Sequence, residues 1–143
     1  MVDAKLRSNP QKAEADRLLN QGNKQNQTGQ PTAALQFFQQ ALQIYREIKD
    51  PLGEGNALAN LGVAYHDLGD YPKAIDYHQQ SLAIAREIKD RKAEAAALGN
   101  LSDAYFNLGD YPKAIDYQQK SKKIEREIKD RNGEAAEIGN IGN

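Results

Sequence analysis

The chain contains no cysteine, which excludes disulfides, thiolate metal sites and a thiol nucleophile, and fits a cytosolic and an oxidising compartment equally well. It has almost no net charge: 19 Lys and Arg against 20 Asp and Glu leave −1 at pH 7, so no bulk attraction to nucleic acid or to an acidic membrane is expected. No apolar run approaches the roughly 20 residues that a membrane helix needs. Met1 to Pro10 lacks the apolar core of a signal peptide. The 11 glycines are spaced as helix stops and helix crossings and form no phosphate-cradling loop. His66 and His78 have no third ligand at metal spacing and are expected at the surface or at an edge. The carboxylates that recur, such as Asp70, Asp110, Glu87 and Glu127, suit helix caps and surface pairs better than a catalytic cleft. These absences predict a soluble, cytoplasmic protein that is no enzyme and carries no cofactor and no metal.

What is present is repetition. Leu61 to Asp90 returns forty residues later as Leu101 to Asp130, with LGDYPKAIDY unchanged, and a diverged copy lies forty residues earlier, from Gln21 to Asp50. Self-similarity at such a period signals a solenoid of stacked units, none able to bury its apolar face alone. Residues 1–8 read as a flexible polar tail, and 9–143 as one domain with repeats at about 9–49, 50–89 and 90–129 and a partial unit over 130–143.

Within this frame Asn9-Pro10 predicts the first helix, to about Thr28, since proline is tolerated where the amide has no partner. A second helix ends near Lys49. Asp50-Pro51 opens a third, to Leu68, and Gly69-Asp70 divides it from a fourth, Tyr71 to Lys89. The next unit predicts helices from Arg91 to Leu108 and from Tyr111 to Lys129, with a seventh from Asp130 to the last residue. Ile138 and Ile141 would fold that helix back onto its predecessor. Connections of two or three residues make successive helices antiparallel neighbours.

Small residues recur where two helices of a unit should touch: Gly62, Ala74 and Ser81, then Ser102, Ala114 and Ser121, and Gly22, Ala34 and Ala41. The spacing Leu61-Gly62-x-x-Tyr65, Gly69, Tyr71, Ala74, Tyr77-His78, Ser81-Leu82 resembles the tetratricopeptide repeat, in the forty-residue variant of kinesin light chains, spindle adaptors and bacterial arrays. The resemblance implies an all-α, right-handed superhelix of antiparallel hairpins and a role in protein interaction. Three departures stand out. Gln21 and Gln25 replace the Leu and Tyr of the pattern, Lys122, Lys123 and Glu125 replace Leu82, Ala83 and Ala85, and the fourth unit lacks a second helix.

Asn20, Asn60, Asn100 and Asn140 recur in mid-helix, where asparagine costs some tenths of a kcal/mol relative to alanine. Helical spacing puts Asn60 on one stripe with Asn56, Val63 and Asp67, matched by Asp16, Asn20, Asn23 and Gln27 and by Ala96, Asn100, Asp103 and Asn107. A carboxamide offers a donor and an acceptor together, as an extended peptide backbone requires. The resemblance implies such asparagines in a concave groove. The candidate site is therefore Asn20, Asn23, Asn60, Val63, Asp67, Asn100, Asp103, Asn107 and Asn140, holding a neutral to basic peptide, since the stripe carries aspartates and no lysine or arginine. Two alternatives stay open: the asparagines bond to the neighbouring repeat, or the chain is a structural spacer whose ends associate weakly with one another. The basic cluster Lys120, Lys122 and Lys123 reads as a solvated outer face.

Overall fold

The computed structural model describes residues 4–141, with side chains described over 10–136. Six helices follow one another: α1 (Ala4–Gln27), α2 (Pro31–Glu47), α3 (Pro51–Asp67), α4 (Tyr71–Glu87), α5 (Arg91–Leu108) and α6 (Tyr111–Ile141). Their ends follow from local chemistry. The carboxylates of Asp50, Asp70, Asp90 and Asp110 accept from the amides of Gly53, Lys73, Ala93 and Lys113 at 3.0–3.3 Å, caps that each contribute about 1 kcal/mol. Gly29, Gly69 and Gly109 close the turns inside each unit with φ of 78°, 79° and 90°, which glycine adopts without steric cost. The turns between units use Lys49 and Lys89 at φ 56° and 58°, a strained choice for a residue with a Cβ.

Each helix packs on the next in sequence. Beyond that, the backbones of α1 and α3 and of α3 and α5 approach each other closely, whereas among the described residues those of α2 and α4, and of α4 and α6, do not. The odd-numbered helices therefore line the tight, concave side, and the even-numbered ones fan out behind them. One buried cluster joins α1, α2 and α3 through Leu18, Phe38, Tyr45, Leu58 and Leu61; a second joins α4, α5 and α6 through Ile75, Leu82, Leu98, Leu101 and Ile124. Crossings are close where the small residues stand. A Cβ on Gly22 would collide with the Phe38 ring, and one on Gly62 would meet the His78 ring at 2.5 Å. The serines do more than leave space: Ser81 donates to the Gly55 carbonyl at 3.2 Å, Ser121 to Ala95 at 2.9 Å and Ser102 to Ala114 at 2.7 Å.

Three expectations are corrected. Helix α1 does not begin at Pro10. Ala4, Lys5, Leu6 and Arg7 are strong helix formers and carry the helix back to Ala4, leaving Pro10 inside it. His78 is not a surface residue but 1% exposed, in the slot over Gly62 that Phe38 fills over Gly22.

The seventh helix does not form as a separate element: α6 runs straight through Lys129 and Asp130 for 31 residues. In the second unit the returning helix docks on buried Leu82 and Ala85, whose counterparts Lys122 and Glu125 are exposed. With no apolar seat for the return, nothing offsets the left-handed turn that Lys129 would have to make. The pairs Arg46–Glu54 at 3.1 Å and Arg86–Glu94 at 3.2 Å staple the two earlier turns. Eight residues along an unbroken helix, Arg126 and Glu134 stand about 12 Å apart along its axis. The seat predicted for Ile138 and Ile141 falls outside the described side chains.

Candidate functional site

The concave face carries the predicted stripe. Asn20, Asn60 and Asn100 occupy the same position of α1, α3 and α5; Asn20 is exposed, the other two half-buried. Among the described residues their carboxamides bond to no other residue. The link between repeats is made nearly two turns further on. Asn26 donates to Asp67 at 3.0 Å, and Asn107 lies 2.8 Å from Nε2 of His66, the same pair of positions used twice, 41 residues apart. Asp67 and Asn107, both predicted to face a ligand, are thus joined to the neighbouring unit. The hydroxyl of Tyr45 donates to Asp16, and burial with that contact pushes its pKa up. Asn23 is half-buried on α1, and the side chain of Asn140 lies outside those described.

Two pockets open between α3 and α5, and Asn100 borders both. One, of about 130 Å³, is lined by Leu52, Ile84, Ile88 and Ala96 with Asn56 and Asn100, an apolar seat flanked by carboxamides. A Cβ on Gly55 would stand 3.2 Å from Ile84, so the small residues of α3 give the seat its depth. The other, of about 110 Å³, is formed by Val63, His66, His78, Asn100 and Asp103. Val63, Asn100 and Asp103 are the predicted residues that the fold brings together. Among the described residues Asp103 pairs with no cation.

Sequence reasoning missed His78, Ile84 and Ile88. The signal for His78 was there, in a polar side chain at the register of Phe38; the isoleucines come from the end of α4, which periodicity alone assigns to the core. Burial, and secondarily the nearby His66, lowers the pKa of His78 to about 4, so its imidazole is neutral at pH 7, and among the described residues Nδ1 has no partner.

Elsewhere the repeats hold aromatic stacks, Tyr65 on Tyr77 and Tyr105 on Tyr117 with centroids 5.5 Å apart, capped by Lys73 and Lys113. These stand at equivalent positions of the second and third units and belong to the scaffold. Lys120 pairs with Asp116 at 3.0 Å on the exposed face of α6. Among the described residues no group of three or more histidine, aspartate or glutamate side chains could hold a metal ion, and no helix is long and apolar enough to cross a membrane.

The architecture is shared with solved structures. The tetratricopeptide domain of Arabidopsis FLU matches with a TM-score of 0.76 and 31% identity over 80% of this chain and 96% of that one. BtubC (BKLC) from P. vanneervenii matches at 0.75 and 22% identity, covering 80% of this chain and 48% of its own, which shows the fold alone. The TPR2AB domain of yeast Sti1, solved as a complex with pHSP90, matches at 0.66 and 27% identity over 86% of this chain and 50% of the other. No curated protein sequence matches significantly. Family models described as tetratricopeptide repeat match residues 53–127, more than half of the chain, and residues 26–48. The chain belongs to the tetratricopeptide repeat family.

Proposed function

We propose that the concave face binds an extended peptide segment of a partner protein, its backbone held by the carboxamides of Asn20, Asn60 and Asn100. The fold is that of a protein-interaction module in general, and the Sti1 relative was solved with pHSP90 bound. The observation that carries the finer reading is the contrast between two sets of asparagines. Asn26 and Asn107 hold neighbouring repeats together, whereas the ladder positions stay accessible and have no hydrogen bond of their own to another described residue. Mid-helix asparagine is unfavourable, so three accessible copies without a structural bond call for a ligand. The apolar pocket beside Asn100 would seat one side chain of the peptide, with main-chain groups spanning the carboxamides on either side.

A display library of twelve-residue peptides tests this, with selection on the wild type and counter-selection on a variant carrying Asn20→Ala, Asn60→Ala and Asn100→Ala. Peptides retained by the first and lost by the second support the groove. Equal retention by both, or none by either, would sink it.

A second reading, self-association through the solenoid end, draws on Ile115. It is 58% exposed where its counterpart Ile75 is 9% exposed, and Phe106 and Tyr111 lie exposed beside it.

A further inference from the structure

We propose that the pocket formed by Val63, His78, Asn100 and Asp103 takes the cationic head of a peptide side chain, a guanidinium in particular. The inference deepens the groove reading and rests on it. The slot over the small residue of the inner helix holds Phe38 in the first unit and His78 in the second. A phenyl ring fills that slot fully, so packing does not require an imidazole there. The imidazole is almost wholly buried, and its Nδ1 meets no donor or acceptor among the described residues. A buried polar atom left so is costly, and because Nδ1 is sealed against Gly62, a ligand in the pocket would meet the ring at its other nitrogen, Nε2.

The walls favour a cation. Asp103 is exposed, pairs with no cation among the described residues and stands opposite Val63 across the gap between α3 and α5. Asn100 adds a carboxamide oxygen. His66 is held by Asn107 at 2.8 Å and so is kept at the wall of the pocket. A neutral His78 presents an acceptor nitrogen. Carboxylate, carboxamide and imidazole together form a set of acceptors that the fork of a guanidinium matches better than a single ammonium does, while an anionic head would meet Asp103. About 110 Å³ gives room for several non-hydrogen atoms. Because Asn100 borders this pocket and the apolar one, the peptide would carry an apolar and a cationic side chain on either side of the residue held there.

The probes are N-acetyl-arginine amide and the corresponding citrulline amide, alike in shape and differing in charge, titrated into the ¹⁵N-labelled protein. Arginine amide should move the amides of Val63, Asn100 and Asp103 and the ring nitrogens of His78 saturably, and citrulline amide should bind at least tenfold more weakly. Asp103→Asn and His78→Phe should each weaken arginine amide at least fivefold. Both should stay folded, since Asp103 is exposed and a phenyl ring already occupies the equivalent slot. Equal binding of the two amides, no saturable shift, or full binding by both variants would overturn the proposal. A single amino-acid amide cannot span the ladder. Failure here with peptides still selected in the library would therefore refute the pocket alone, and saturable arginine binding with no peptide selected would refute the groove alone.

Discussion

At the scale of single residues, His78 ties fold and site together. Its folded pKa of about 4 lies below the ordinary 6.5 because burial disfavours the charged ring, with His66 adding a smaller push in the same direction. The unfolded chain therefore binds the extra proton first, and the contribution of His78 is constant above pH 6.5. Stability falls as pH drops from 6.5 towards 4, by a total on the order of 3 kcal/mol. His78→Phe should remove that slope: urea midpoints of the variant would stay nearly level between pH 6.5 and 4.5 where those of the wild type fall. Parallel curves would mean that the ring reaches water.

Gly62 is the partner in this contact. Gly62→Leu should cost roughly 1 to 3 kcal/mol by overpacking against the ring, which a denaturation midpoint would register.

At the scale of elements, the sequence was most legible where a local rule sufficed. The caps at Asp50, Asp70, Asp90 and Asp110 and the glycine stops fall where their spacing puts them, and α5 has the predicted bounds. It was least legible where the outcome depends on what an element packs against. REIKD itself contains the turn that ends α2 and α4 but is helical throughout in α6, because the turn depends on an apolar seat that Lys122 and Glu125 do not supply. The site divides in the same way. Helical spacing placed Val63, Asn100 and Asp103 on one face, yet whether Asp67 and Asn107 point to a ligand or a neighbour depends on Asn26 and His66, 41 residues away.

The unbroken α6 makes its own prediction. Spin labels at Lys113 and Ala136, 23 residues apart, should report a distance near 34 Å. Arg131→Pro with Lys122→Leu and Glu125→Ala, which restores the Asp-Pro break and the apolar seat together, should shorten it markedly. An already short distance in the wild type would show that the last segment folds back.

At the scale of the whole molecule, helix contacts among the described residues run only between neighbouring units, so damage and stabilisation should spread along the stack from one unit to the next. Ile115, Phe106 and Tyr111 leave an apolar face at the α6 end where Ile75 is covered by α5. Weak association rising with concentration is expected from it. Sedimentation of Ile115→Lys beside the wild type checks this, with only the wild type gaining mass as concentration increases.

The central claim is that the accessible asparagines belong to a ligand while their structural counterparts belong to the stack. The side-chain amide resonances of the ¹⁵N-labelled protein, followed during titration with a peptide selected on the concave face, test it directly. Those of Asn60 and Asn100 should move and saturate with the peptide, while those of Asn26 and Asn107 stay in place. Movement of Asn26 and Asn107 with Asn60 and Asn100 unmoved would contradict the account.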